Sequence, residues 1–154
     1  MSDKNILFVC TGNTCRSPMA EALLRKAVGG IPGIKISSAG VGAMPGQSAS
    51  RETISILEAK KAPLQDFQSR QVDEHLLSSS DLVIAMTKSH AAIVREYFPE
   101  RADSVSLLCD FIDEDEGLVG ADVPDPIGMG IEAYQEVAEV IELALPGIIN
   151  KLGQ

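Results

Sequence analysis

Short unbroken apolar runs separated by polar turns dominate the chain, and strict alternation is rare. Ile6 to Val9 is apolar at every position and Cys10 extends the run, while Asp81 to Met86 carries a second run, Leu-Val-Ile-Ala-Met. Runs of this kind predict strands buried on both faces of a parallel sheet. After the first run come a turn-like Thr11-Gly12-Asn13, then Ser17 at a predicted N-cap and Pro18 at the first position of a helix over Met19 to Val28. Gly29-Gly30 and Pro32-Gly33 end that helix, and Ile34 to Ser38 alternates as a second strand. Gly40 to Gly46 reads as a loop, and Ser50 caps a helix carrying Ile54, Ile56, Leu57 and Ala59. Thr87 caps the next helix, which runs to about Phe98 and stops at Pro99. Ser104 to Leu108 is a fourth, weaker strand, followed by a long acidic connection over 109–130. The chain closes with a helix from Ile131 to about Leu152, striped by Tyr134, Val137, Ala138, Ile141, Leu145 and Ile148, in which Pro146 predicts a kink or a break. Strands alternating with helices predict an α/β fold, a parallel sheet covered by helices on both faces. The absence of repeats or a long linker predicts one domain over 1–154.

Charge narrows the partners. The chain holds 13 Lys and Arg against 22 Asp and Glu, a formal net charge of −9, with 45% hydrophobic and 23% charged residues. That balance supports a packed core and disfavours a nucleic-acid or anionic-membrane binder, since both need a basic face. No apolar run approaches the length of a spanning helix and no signal-peptide pattern is present, so the expectation is a cytoplasmic protein. In a reducing compartment Cys10, Cys15 and Cys109 are expected as free thiols, with Cys109, among Leu107, Leu108 and Phe111, in the core.

Chemistry concentrates where the first strand meets the first helix. Cys10-Thr11-Gly12-Asn13-Thr14-Cys15-Arg16-Ser17 is a Cys-x5-Arg-Ser loop at a helix N-terminus. Backbone N–H groups there converge on one concavity at the positive end of the helix, ready for a phosphate-like anion. Gly12 and Asn13 are suited to the positive φ that such a nest requires, and Arg16 adds a planar fork of donors. Cys10 sits where all of these stabilise a thiolate, to which Ser17 can donate while Asn13 holds the loop. A thiolate below a bound phosphoryl group is placed for in-line attack on phosphorus. Such a nucleophile wants a positioned acid, and Asp125, between Pro124 and Pro126, is the candidate in the long loop.

Phe8 to Glu21, Ser38-Ala39-Gly40, Asp81 to Met86 and Pro124-Asp125-Pro126 together resemble the low-molecular-weight protein tyrosine phosphatases, in order along nearly the whole chain. The resemblance implies a four-stranded parallel sheet flanked by helices, and no metal or other cofactor. It implies Cys10 as nucleophile, Arg16 as phosphate ligand and transition-state stabiliser, and Asp125 as the acid that later activates water against a phosphocysteine, with inorganic phosphate as product. It also implies that Cys15 can form a reversible disulfide with Cys10, protecting the nucleophile from over-oxidation.

Substrate choice follows from departures within the family. Tyrosine-directed members usually carry an aliphatic residue where Thr14 stands, and aromatic walls after the Asp-Pro and after the Ser-Ala-Gly; here Ile127-Gly128 follows Pro126, and Val41 to Gly46 has no aromatic. Thr14 with a nearby Gly resembles the protein arginine phosphatase branch, although members of that branch generally place Phe where Ile127 stands. The expected partner is therefore a phosphorylated protein, phosphoarginine first and phosphotyrosine second. The acidic 109–125 stretch leading to Asp125 suits a cationic guanidinium beside the phosphate. An arsenate reductase is disfavoured because positions 70–100 hold no relay cysteine, and a non-catalytic phosphate-binding module needs neither Cys10 nor Asp125. Asp113 to Gly117 misses the calcium-loop pattern and reads as a solvated charge run. His75 and His90, far in sequence from the cysteines, read as surface or structural, and Met44, Met86 and Met129 as packing residues.

Overall fold

A computed structural model describes residues 3–29 and 31–153. Met1, Ser2, Gly30 and Gln154, and with them the helix-stop role expected of Gly30 and the ends of the 1–154 span, lie outside the described residues. Four strands form one sheet: β1 (Lys4–Cys10), β2 (Ile34–Gly40), β3 (Leu82–Ala85) and β4 (Val105–Leu107). Their order is β2-β1-β3-β4 and every pairing is parallel, with Cys10 opposite Gly40 and Val9 opposite both Ala39 and Ala85. The helices are α1 (Arg16–Ala27), α2 (Arg51–Ala59), α3 (Glu74–Ser78), α4 (Lys88–Tyr97) and α5 (Ile131–Leu152), with short 3₁₀ turns at Pro99–Ser104, Leu108–Phe111 and Glu114–Glu116.

The unbroken apolar run of β1 has a simple origin, because successive strand side chains face opposite ways and both faces are covered. Ile6, Phe8 and Cys10 pack with Met19 and Leu24 of α1, Leu57 of α2 and Ile141 and Ile148 of α5. Leu7 and Val9 pack on the other face with Leu77 of α3 and Ala91 and Val94 of α4. Burying each such large side chain contributes roughly 1.5–3 kcal/mol, so β1 is held from both layers. Connections leave β1 toward β2 on one side and β3 lies on the other, which opens a crevice at the carboxyl end of β1, where open α/β sheets bind ligands.

Several expected boundaries move. Helix α1 begins at Arg16 with Cys15 as N-cap and no side-chain cap, so Ser17 is inside the first turn rather than capping it. Strand β2 continues to Gly40 because Gly40 stays paired with Cys10 and bridges Gln71. Ser50 and Thr87 cap as expected, accepting from Thr53 N and His90 N. Helix α3 was not anticipated; Asp73 caps it. The 109–130 connection is less featureless than its composition suggests, since Asp110 Oδ1 accepts from Gly120 N at 2.8 Å and holds its turns together. Pro146 does not interrupt α5: it lies on the exposed face, while Ile141, Ala144 and Ile148 hold the buried stripe on both sides of it.

The next residue fixes how closely α5 approaches the Leu108–Phe111 turn. A Cβ at Gly147 would collide with the Phe111 carbonyl, backbone against backbone. Although Gly→Ala favours an exposed helix by about 1 kcal/mol, Gly147→Ala is expected to destabilise by about 1–3 kcal/mol, lowering Tm by several degrees. A thermal melt that leaves Tm unchanged or raises it contradicts this.

Candidate active site

Backbone contacts place the Cys-x5-Arg loop in the crevice. Val41 N donates to Cys10 O and Gly42 N to Thr11 O, each at 2.9 Å, docking the 41–43 loop against it. Gly40 lies so close beneath that a Cβ there would strike the Thr11 carbonyl and come within 3.0 Å of Asn13 N. The expected positive φ is taken by Asn13 at 58° and not by Gly12, a correction to the reading of both residues as left-handed. One such reversal suffices because Asn13 is locked by its side chain.

Asn13 is wholly buried. Its Oδ1 accepts from Arg70 N at 3.0 Å, and its Nδ2 donates to Ser17 Oγ and Ser38 Oγ, both at 2.9 Å. Ser38 Oγ donates onward to Glu21 Oε1 at 2.7 Å, and Glu21 pairs with Arg25 at 2.8 Å. Because Ser17 Oγ accepts from Asn13, its proton is free for the neighbour on its other side, Cys10 Sγ at 2.8 Å. Asn13 N donates to the same sulfur at 3.3 Å. The uncapped amino end of α1 adds its dipole, so Sγ sits among donors that stabilise negative charge. Ser17 thus leaves the predicted capping position because its hydroxyl serves the thiol.

Arg16 is buried, with Nη1 donating to Val123 O at 3.0 Å and Nη2 standing 3.9 Å from Asp125 Oδ2. The Asp125 carboxylate is 54% exposed and accepts from Ile127 N at 3.1 Å, an Asx turn stiffened by the flanking prolines. Val123 N donates to Met86 O at 2.9 Å, and Asp122 Oδ1 accepts from Lys88 N at 2.8 Å, tying this segment to the end of β3 and the start of α4. Asp125 is therefore brought to the loop of Cys10 and Arg16 from more than a hundred residues further along the chain.

Thr14 is half-buried, and its carbonyl accepts from Ser50 N at 2.8 Å. Cys15 is buried with Sγ 3.8 Å from Thr14 Oγ1 and 3.7 Å from Tyr134 OH. Burial and the contact with Cys15 push the Tyr134 phenol up to about 12. All three cysteines are free thiols and Cys109 is in the core, where burial raises its pKa. Met86 packs as expected, but Met44 and Met129, at 67% and 61% exposure, do not; Ile127, a specificity candidate, is 60% exposed. These three are exposed apolar, non-aromatic side chains, one in the loop after β2 and two in the segment following Asp125.

His75 is exposed, whereas His90 is buried and reaches the loop: its Nε2 lies 2.7 Å from Thr11 Oγ1. Its separation in sequence from the cysteines concealed this. Arg70, Ser38 and Tyr134 were likewise not singled out as site residues; only Ser38, within the Ser-Ala-Gly motif, left a signal. The Asp113–Glu116 run is exposed, and among the described residues no cluster of three or more His, Cys, Asp or Glu is arranged to hold a metal ion. A cavity of about 460 Å³ lined by Ile31, Ile34, Ile149 and Leu152 lies at the opposite ends of the strands, away from these groups.

A thiol and a guanidinium held in a nest at the carboxyl end of a parallel sheet are the equipment of a cysteine-dependent phosphoryl-transfer enzyme. The family described as "Low molecular weight phosphotyrosine protein phosphatase" matches residues 5–154, and the chain belongs to that family. It is 38% identical over 147 residues to the protein-arginine-phosphatase of Geobacillus stearothermophilus, covering 96% of this chain and 95% of that one. It is 35% identical to the low molecular weight protein-tyrosine-phosphatase Wzb of Escherichia coli (strain K12), covering 90% and 88% of the two chains. Among solved structures it resembles a mutant of the YwlE arginine phosphatase with a phosphorylated active-site serine, with a TM-score of 0.89 and 34% identity over 97% of this chain and 96% of that one. Four parallel strands flanked by helices are thus confirmed as the fold. Among the described residues no helix is long and apolar enough to cross a membrane.

Proposed function

We propose that this chain, as one domain in the cytoplasm, hydrolyses phosphorylated side chains of proteins, with phosphoarginine as its favoured substrate. The observation that carries the mechanism is Cys10 Sγ between Ser17 Oγ and Asn13 N, beside Arg16 and Asp125. The phosphoryl group sits in the nest of Thr11 to Ser17, with two oxygens on the Arg16 fork. The Cys10 thiolate attacks phosphorus in line, the S–P bond forms as the P–N bond of phosphoarginine breaks, and Asp125 gives its proton to the departing guanidino nitrogen. Asp125, now a carboxylate, takes a proton from water as the oxygen attacks the phosphocysteine. Inorganic phosphate leaves, and the thiolate and the protonated Asp125 are restored. Sulfur attack of this kind calls for no metal-bound water. Cys15, within the same loop, is the proposed reversible disulfide partner of Cys10.

The arginine preference rests on Thr14 and on the absence of aromatic walls, and similarity to an arginine phosphatase supports it. Phosphotyrosine is the second reading, favoured by the similarity to Wzb and by the exposed apolar side chains of Met44, Ile127 and Met129. The test compares kcat/KM on phosphoarginine and phosphotyrosine peptides. The wild type is expected to prefer phosphoarginine, and Thr14→Ile to move the ratio toward phosphotyrosine by roughly tenfold or more, since a lost polar contact weighs against the polar substrate. A wild type that prefers phosphotyrosine, or an unmoved ratio, refutes the arginine assignment.

A further inference from the structure

We infer that His90 is a positioning residue for the phosphatase reaction, acting through the Thr11 hydroxyl to hold the first bend of the phosphate loop; this rests on the function proposed above. His90 comes from the first turn of α4, where Thr87 Oγ1 accepts from its backbone N–H at 3.1 Å. Its ring is buried, reaches Thr11 Oγ1 at 2.7 Å through Nε2, and leaves Nδ1 with no partner. A neutral imidazole has one donor and one acceptor nitrogen, and a buried orphan N–H is rarer than a buried orphan acceptor. The proton is therefore assigned to Nε2, with the Thr11 oxygen accepting.

The ring keeps that role across the working pH range. Burial first, then the Arg16 cation, lower its pKa to about 4, with Asp122 and Asp125 opposing in part. His90 is thus a fixed donor and not a titrating switch. Its turn of helix also holds the acid segment, because Lys88 N donates to Asp122 Oδ1 at 2.8 Å and Met86 O accepts from Val123 N at 2.9 Å. Residues 86–90 therefore grip the nucleophile's loop with one bond and the acid's loop with two, and the hydrogen bond from His90 is the side-chain link to the first.

The experiment is a double-mutant cycle on turnover of an aryl phosphate, with far-UV circular dichroism as a check on folding. His90→Leu and Thr11→Val are each expected to lower kcat by about tenfold while KM changes by less than about threefold, and the double variant to lose no more than either single one. His90→Gln, which keeps a donor, is expected to recover most of kcat. Full kcat in folded His90→Leu or in Thr11→Val, or losses that multiply to about a hundredfold in the double variant, overturn the inference. If His90→Leu does not fold, Thr11→Val and His90→Gln decide alone: full kcat in the first, or a loss in the second as large as that of Thr11→Val, overturns it. A wild type that does not turn over the aryl phosphate overturns the phosphatase reading itself.

Discussion

Cys10→Ser is expected to abolish turnover, with kcat down by at least about 10⁴-fold, while inorganic phosphate still binds within a few-fold of wild type. The two halves of that outcome come from different atoms. Binding depends on the backbone N–H groups, the amino end of α1 and the Arg16 fork, none of which the substitution removes. Bond breaking depends on sulfur, because a serine hydroxyl in the same place is a far weaker acid and carries no lasting negative charge beside Ser17 Oγ and Asn13 N. Steady-state kinetics and calorimetric titration with phosphate measure the two separately. Retained turnover in Cys10→Ser rules out the nucleophile; loss of phosphate binding as well means that the thiol holds the nest together.

Asp125→Asn is expected to cost about 10²–10⁴-fold in kcat on phosphoarginine or phosphotyrosine peptides, and much less on an aryl phosphate whose leaving group needs no proton. The asymmetry is the informative part. An acid helps in proportion to the basicity of the departing atom, and a guanidino nitrogen or a tyrosyl oxygen leaves poorly without it. The 3.9 Å pairing with Arg16 at an exposed position contributes little to stability, so the variant should fold normally. An equal loss on good and poor leaving groups points instead to a disturbed loop.

The main architecture was legible because its causes are local in sequence. The runs at Ile6 to Val9 and Leu82 to Ala85 are short, bounded by polar turns and so read as strands covered on both faces, and the stripe of α5 repeats with helical spacing. The loop itself was legible from residue types: a thiol, an arginine and an Asn able to reverse the chain. What stayed hidden depends on contacts between distant segments. Ser17 satisfies every rule for an N-cap, yet it faces sulfur because Asn13, held by Arg70 and Ser38, turns it inward. His90 lies 79 residues from Thr11, and no spacing rule connects them. Helix α3 is only five residues long, too short for periodicity to register, and its one signal was the Asp73 cap. Met44 and Met129 read as packing residues because an apolar side chain at a loop tip is indistinguishable in sequence from one in the core.

The burial of β1 on both faces bears on how the two ends of the reaction fluctuate. Amides in a central strand, paired on either side and sealed by two layers, exchange with solvent chiefly when the whole molecule unfolds, whereas an exposed loop opens at little cost. Cys10 therefore inherits the full stability of the fold as its positional restraint. Asp125 instead lies on an exposed turn, tethered at Val123 and Asp122 rather than paired within the sheet. In the proposed reaction the nucleophile thus stands at the end of a strand sealed by both layers, and the acid on a solvent-exposed turn held by two tethers.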